Sequence, residues 1–170
     1  FDPAKNKLFA DGEAIRWVAH NAAGECVGRI AAFYDKTHAY GYEQPTGGCG
    51  FFEAIDDQEL ANLMFDASRD WLKERGMEAM DGPVNFGSRD AWWGLLVEGF
   101  EYQPLFENPY NPPYYKDLFE SYGFQNYFNQ NTYLWKVYDD DVNEVVYDRV
   151  KRLMSTPGYR FSPIGNEDLY

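Results

Sequence analysis

The pattern of apolar and polar positions changes period along the chain, and each change marks an element. Residues 13–20 and 26–34 read as strands, and Asn21-Ala22-Ala23-Gly24-Glu25 between them reads as a turn with Gly24 available for positive φ, so the pair predicts a hairpin. The short apolar run at 48–55, preceded by turn-forming residues, predicts a strand covered on both faces. Asp56 stands where an N-cap belongs, with Glu59 at capping-box spacing. A helix is expected next. Leu60, Leu63, Met64, Ala67, Trp71 and Leu72 recur at helical spacing, while Asp66, Arg69, Asp70, Lys73 and Glu74 take the other face. Gly76 closes this helix as a left-handed residue, and 77–84 supplies a further strand, completing a β-α-β crossover unit.

Beyond residue 84 the periodicity fades. Between 85 and 115 Trp92, Trp93, Phe100, Tyr102, Phe106, Tyr110, Tyr114 and Tyr115 lie among Gly and Pro. So many aromatics must cover something or form an association surface. A short helix over about 113–121 ends at Gly123, and a long strand is expected over 125–138. Asp139 to Asp141 then cap a helix with Val142, Val146, Val150 and Leu153 on one face, Pro157-Gly158 stops it, and 159–164 reads as a strand.

At 170 residues the chain suits one domain with a sizeable core. A net charge of −13, with no basic patch, argues against nucleic-acid and membrane-surface partners. No run is long enough to span a bilayer and the start lacks a signal-peptide layout, so a cytoplasmic protein is expected. Cys26 and Cys49 form no C-x-x-C pair, and His20 and His38 have no partner at ligand spacing. No metal site is expected.

The element order resembles the GNAT-type acyl-CoA N-acyltransferase fold. Gly28-Arg29-Ile30-Ala31-Ala32, Gly50-Phe51-Phe52-Glu53, Asp81-Gly82-Pro83-Val84-Asn85, Gly94 to Phe100 and Tyr110-Asn111-Pro112-Pro113-Tyr114-Tyr115 are similar to a group of bacterial GNAT-like proteins of unassigned substrate. The resemblance implies an α/β (α+β) domain over 1–138, lacking the family's first strand and helices. Its mixed sheet would be built on the central β-α-β crossover, with helices on both faces. Residues 139–170 would form an extension, either packed on this domain or leading to a further one.

It also implies an acyl-CoA-dependent N-acyltransferase, with acetyl-CoA or a longer acyl-CoA as donor and a small amine or peptide as acceptor. Glu53 then serves as general base, Tyr115 or Tyr122 as proton donor, Phe52, Ala54, Ile55 and Asn111 as cofactor contacts, and Asn85, Arg89, Asp90, Trp93, Tyr110 and Tyr114 as substrate contacts. Each has a plainer alternative. Glu53 can pair with a surface cation such as Arg29, and the tyrosines can pack in the core with satisfied hydroxyls.

The chain departs from the family pattern at two places. Where the family has a glycine- and arginine-rich phosphate loop it reads Ala54-Ile55-Asp56-Asp57-Gln58-Glu59, and Phe119 stands at the position of the family's usual tyrosine acid. These residues favour an alternative, a binding module that has lost CoA and uses 91–115 for a ligand, a peptide or a homodimer contact.

Overall fold

The computed structural model describes residues 2–41, 43–86, 94–134 and 144–158. Two compact units divide the chain, Phe1–Tyr127 and Phe128–Tyr170.

The first unit is mixed α+β. Its four-stranded sheet runs in the order β1 (Gly12–His20), β2 (Cys26–Asp35), β3 (Thr46–Ala54), β4 (Ala79–Asp81). The expected hairpin forms: β1 and β2 are antiparallel and Gly24 sits in their turn at φ +82°. Between β2 and β3, Asp35 accepts the His38 N–H and caps one helical turn, α1 (Lys36–Ala39). β3 is antiparallel to β2 and parallel to β4, and the helix between them, α2 (Gln58–Lys73), makes the predicted crossover.

Two details of α2 differ from expectation. Asp57, not Asp56, is the N-cap, its carboxylate accepting from the Glu59 and Leu60 amides. This places Leu60 at the third helical position, so the expected capping box with Glu59 does not form. The buried face is Ala61, Met64, Phe65, Ser68 and Leu72, while Leu63 is 69% exposed. The stripe is thus turned about one residue from the one predicted. Small residues decide the phase: Ala61 and Ser68 let the helix approach the sheet closely enough for Phe65 to stack on Phe52 at 5.1 Å. Gly47 serves the same approach from the strand, since a β-carbon there would run into the Leu72 side chain.

α3 (Tyr115–Tyr122) packs on α2, bringing Phe119 to 4.7 Å from Phe65 and 5.0 Å from Phe52. Burying a phenyl ring contributes roughly 1.5–3 kcal/mol, so this cluster is a main anchor of the helical layer. Both helices end alike. Met77 N–H bonds Leu72 C=O and Phe124 N–H bonds Phe119 C=O, each across a left-handed glycine, Gly76 or Gly123. The opposite face of the sheet holds Ala31, Phe33 and Phe86 under Leu8 and Phe9, from a 3-10 turn at Lys7–Ala10.

β4 is three residues long, shorter than the strand expected over 77–84. No strand forms over 125–134; 135–138 lie outside the described residues. Alternation gives that segment a face, but a strand also needs an edge to receive its N–H and C=O groups. Tyr127 and Tyr133 are instead 89% and 86% exposed.

In the second unit the expected helix is present as α4 (Glu144–Ser155), with no buried residue. Its C-terminus is held by Ser155 and Thr156 hydroxyls donating to Arg152 C=O. The proposed cap at 139–141, Val142 and the strand at 159–164 lie outside the described residues.

Candidate functional site

The site grows from an interruption in β3. Its pairing with β4 ends at Gly48↔Asp81, although β3 runs on to Ala54. On the other side the β2 register steps from Arg29↔Glu53 to Ala31↔Gly50, so β3 carries one extra residue. This is a β-bulge at Phe51, whose φ of +49° is costly for a side-chain-bearing residue. Gly50 admits the Val84 backbone, which would collide with any β-carbon at that position. Past this point the chain after β4 leaves the sheet, and a cleft of about 580 Å³ opens against the far half of β3. That volume is within the usual range for small-molecule sites.

Phe51 to Ile55 line one wall, joined by Cys26 to Arg29 of β2. Pro83, Asn85, Gly94 and Leu95 line another, and Pro109 to Pro112 with Tyr114 and Tyr115 complete it. Nine predicted residues therefore meet in one place: Phe52, Glu53, Ala54, Ile55, Asn85, Tyr110, Asn111, Tyr114 and Tyr115. Tyr122 is not among them. Its hydroxyl donates to Asp66 at 2.8 Å and accepts from Arg69 at 3.0 Å, bracing α3 against α2. Burial, then the bond to Asp66, pushes its pKa up to about 12. Arg89, Asp90 and Trp93 lie outside the described residues.

The cleft wall is tied to β3 at a single residue. Ala54 N–H donates to the Tyr115 hydroxyl at 3.0 Å, and the Tyr114 hydroxyl donates to Ala54 C=O at 2.8 Å. Tyr115 is only 6% exposed, and burial raises its pKa, which keeps the phenol protonated at neutral pH. Behind the tyrosines the Asn111 amide holds the wall together. Its Oδ1 accepts from Leu96 N–H at 2.8 Å, while Nδ2 donates to Leu96 C=O and Pro112 C=O. Both Nδ2 protons are thus engaged, and Asn111 acts on the cleft through its shape.

Glu53 lines the cleft with its side chain largely exposed, paired with Arg29 Nη2 at 2.6 Å, the arrangement its plainer reading foresaw. Arg29 lines the cleft too. Sequence reasoning named it only as a partner for Glu53; the antiparallel register that sets it opposite Glu53 is what puts it there. Phe51 was also missed as a cleft residue, and the signal was present in Gly47-Gly48-Cys49-Gly50, a strand segment too poor in side chains to be ordinary.

The α2 N-terminus does not fit a nucleotide diphosphate. Asp57 already occupies the Glu59 and Leu60 amides, and Asp56 and Glu59 add negative charge beside them. Like charges about 4 Å apart repel by on the order of 4 kcal/mol at an effective dielectric near 20.

No family model matches the chain. Among curated proteins it is similar to protein YghO of Escherichia coli, at 37% identity over 108 residues, 64% of this chain. It is also similar to the bacterial ceramide synthase of Caulobacter vibrioides, at 32% identity over 156 residues, 88% of this chain. The chain spans 27% and 38% of the length of these two relatives. One solved structure, "Putative acetyl transferase from Pyrococcus furiosus", superposes with a TM-score of 0.41 and 16% identity, covering 77% of this chain and 70% of that one. So loose a superposition decides neither fold nor chemistry. Among the described residues no helix is long and apolar enough to cross a membrane.

Proposed function

We propose that the β3 cleft is the reaction site of an N-acyltransferase whose acceptor is a long-chain amine. The observation that carries the reading is the parted, bulged half of β3, which sets backbone, one buried tyrosine hydroxyl and one carboxylate on the same apolar cleft. The similarity to a ceramide synthase supports it, because a ceramide is the N-acyl derivative of a long-chain amino alcohol.

In this chemistry the amine nitrogen attacks the acyl carbonyl, the new C–N bond forms and the bond to the leaving group breaks. Glu53, released from Arg29, accepts the proton that the nitrogen sheds, directly or through one water. Tyr115 gives its proton to the departing group, and solvent returns a proton from Glu53 to the phenol. Apolar side chains of Phe51, Phe52, Ile55 and Leu95 line the cleft and offer contact to hydrocarbon. No step is assigned to a nucleotide, since the α2 N-terminus does not accept one.

That closure favours a second reading, a cleft that binds its ligand without CoA and transfers nothing. Mass spectrometry of the full chain incubated with sphinganine and a palmitoyl thioester, either of CoA or of nucleotide-free pantetheine, separates the two. Amide product that falls at least tenfold in Glu53→Gln supports the transferase. Sphinganine binding by calorimetry with no amide product under any donor supports the binding module.

A further inference from the structure

We infer that the loop over 97–110 docks on a bilayer surface that carries the long-chain amine, and so holds the mouth of the cleft against the lipid. The loop belongs to the cleft by its two ends. It leaves the wall at Leu95 and rejoins it at Pro109 to Asn111, all of which line the cleft. The Asn111 side chain closes the neck, bonding both the N–H and the C=O of Leu96. Two tight turns shape what lies between: Tyr102 N–H bonds Gly99 C=O at 3.0 Å, and Asn108 N–H bonds Leu105 C=O at 3.1 Å. Glu107 belongs to the second turn and has φ +65°, a conformation uncommon for a side-chain-bearing residue. A loop closed at its neck and folded on itself presents its tip as a defined feature.

That tip is apolar and faces water. Residues 101–107 are exposed throughout, Phe106 by 89% and Leu105 by 58%. Phe106 is the most exposed phenylalanine among the described residues, whereas Phe33, Phe52, Phe65, Phe86 and Phe119 are buried. Such a tip calls for a surface that takes hydrocarbon, and its charge selects which one. The charged residues of 97–110 are Glu98, Glu101 and Glu107, with no lysine or arginine among them. A second copy of the chain would bring the same carboxylates and a net charge of −13 to the contact, and an anionic phospholipid surface repels them as well. A bilayer holding a long-chain amine carries ammonium groups at its surface, because an alkylamine, like lysine, is protonated at neutral pH. It complements both parts of the loop: Leu105 and Phe106 enter the acyl region while the carboxylates stay among the head groups. The charge that argues against an anionic membrane thus favours this one. Tyr110, exposed and lining the cleft, links the docked tip to the site, so the amine passes from lipid to cleft without its chain crossing water. The inference rests on the acyl-transfer reading for the class of amine that the surface carries.

Co-sedimentation of the full chain with phosphatidylcholine vesicles tests it, the vesicles carrying sphinganine, phosphatidylglycerol or neither. Wild type should partition onto sphinganine vesicles about tenfold more strongly than onto phosphatidylglycerol vesicles. Leu105→Ser with Phe106→Ser should lose about tenfold of that partition, and Phe106→Trp should keep it. Glu101→Gln with Glu107→Gln should erase the preference for sphinganine. Glu74→Gln with Glu78→Gln, near the start of β4, makes the same change in net charge and should leave the preference intact. The glutamine variants keep the test decisive where the serine pair weakens the fold. Equal partition onto phosphatidylglycerol vesicles, a folded serine variant that binds as well as wild type, a distal glutamine pair that loses as much as the loop pair, or a lipid-free dimer that the serine pair abolishes would each overturn the inference. Decylamine, which dissolves without a bilayer, separates docking from transfer. The serine variant should acylate decylamine at the wild-type rate and vesicle-borne sphinganine about tenfold more slowly. Vesicle binding of the expected pattern with neither amine acylated would leave docking standing and sink the transferase reading alone; acylation of both amines without vesicle binding would sink docking alone.

Discussion

α2 and α4 present the same kind of sequence and reach different ends. Each sets apolar residues on one stripe and charges on the other, over 16 and 12 residues. α2 buries five residues, with Phe65 and Ala61 fully enclosed. α4 buries none, and Val146 and Val150 stay 51% and 47% exposed. The stripe is not what differs. α2 is tethered between two parallel strands, so the crossover delivers its apolar side onto a sheet that has glycines where the helix presses. Amphipathicity shows which side of a helix can be buried, and the topology supplies what buries it.

The sharpest test of this contrast is to remove one apolar side chain from each stripe. Phe65→Ala should destabilise by about 3–5 kcal/mol, because it empties a cavity ringed by Phe52, Phe119, Tyr122 and Phe124. Val150→Ala should change stability by less than about 0.5 kcal/mol. Urea unfolding curves measure both, and a Val150 effect comparable to that of Phe65 would show that α4 is covered after all.

A smaller effect is expected at the helix start. Asp57→Ala should cost about 1 kcal/mol through loss of the two capping bonds, whereas Asp56→Ala should be close to neutral by the same unfolding measurement. Equal losses would mean that the cap is shared between them.

The smallest effect is confined to alkaline pH. Tyr122 has its pKa raised in the folded protein, first by burial and next by Asp66, to about 12. An unfolded tyrosine titrates near pH 10, so its contribution is intact below about pH 10 and is lost as pH climbs towards 12. Burial raises Tyr34 and Tyr115 as well, and only the difference between wild type and Tyr122→Phe isolates this group. Thermal melts across that window should show the wild type losing more stability than the variant; parallel curves would remove Tyr122 from the α2–α3 brace.

Much of the first unit was legible because its signals are local. The hairpin followed from Gly24, the ends of α2 and α3 from Gly76 and Gly123, and the crossover from an apolar run on each side of a helical period. The one-residue error in the α2 face has a physical origin: Leu60, Leu63 and Trp71 outweigh Ala61 and Ser68 in hydrophobicity, yet close approach to a sheet selects small side chains. The strand predicted over 125–138 shows the same limit in its described part, 125–134, since alternation said nothing of a neighbouring edge.

The candidate site divided in the same way. Phe52 to Ile55, Tyr110, Asn111, Tyr114 and Tyr115 could be named only through the family resemblance of the short motifs that carry them, and the cleft brings them together. Tyr122 was drawn in by being a tyrosine near a helix end, but α3 turns it towards Asp66. Which hydroxyl meets which backbone group depended on packing across some 60 residues of sequence, as in the bonds from Tyr114 and Tyr115 to Ala54.

The sequence by itself determined the periods, the helix stops and the acidic start of α2, because propensity, capping and charge act within a few residues. Only the tertiary structure decided that β3 parts from β4, that Phe51 bulges and that two tyrosines bond Ala54, because these depend on how closely separate segments can approach.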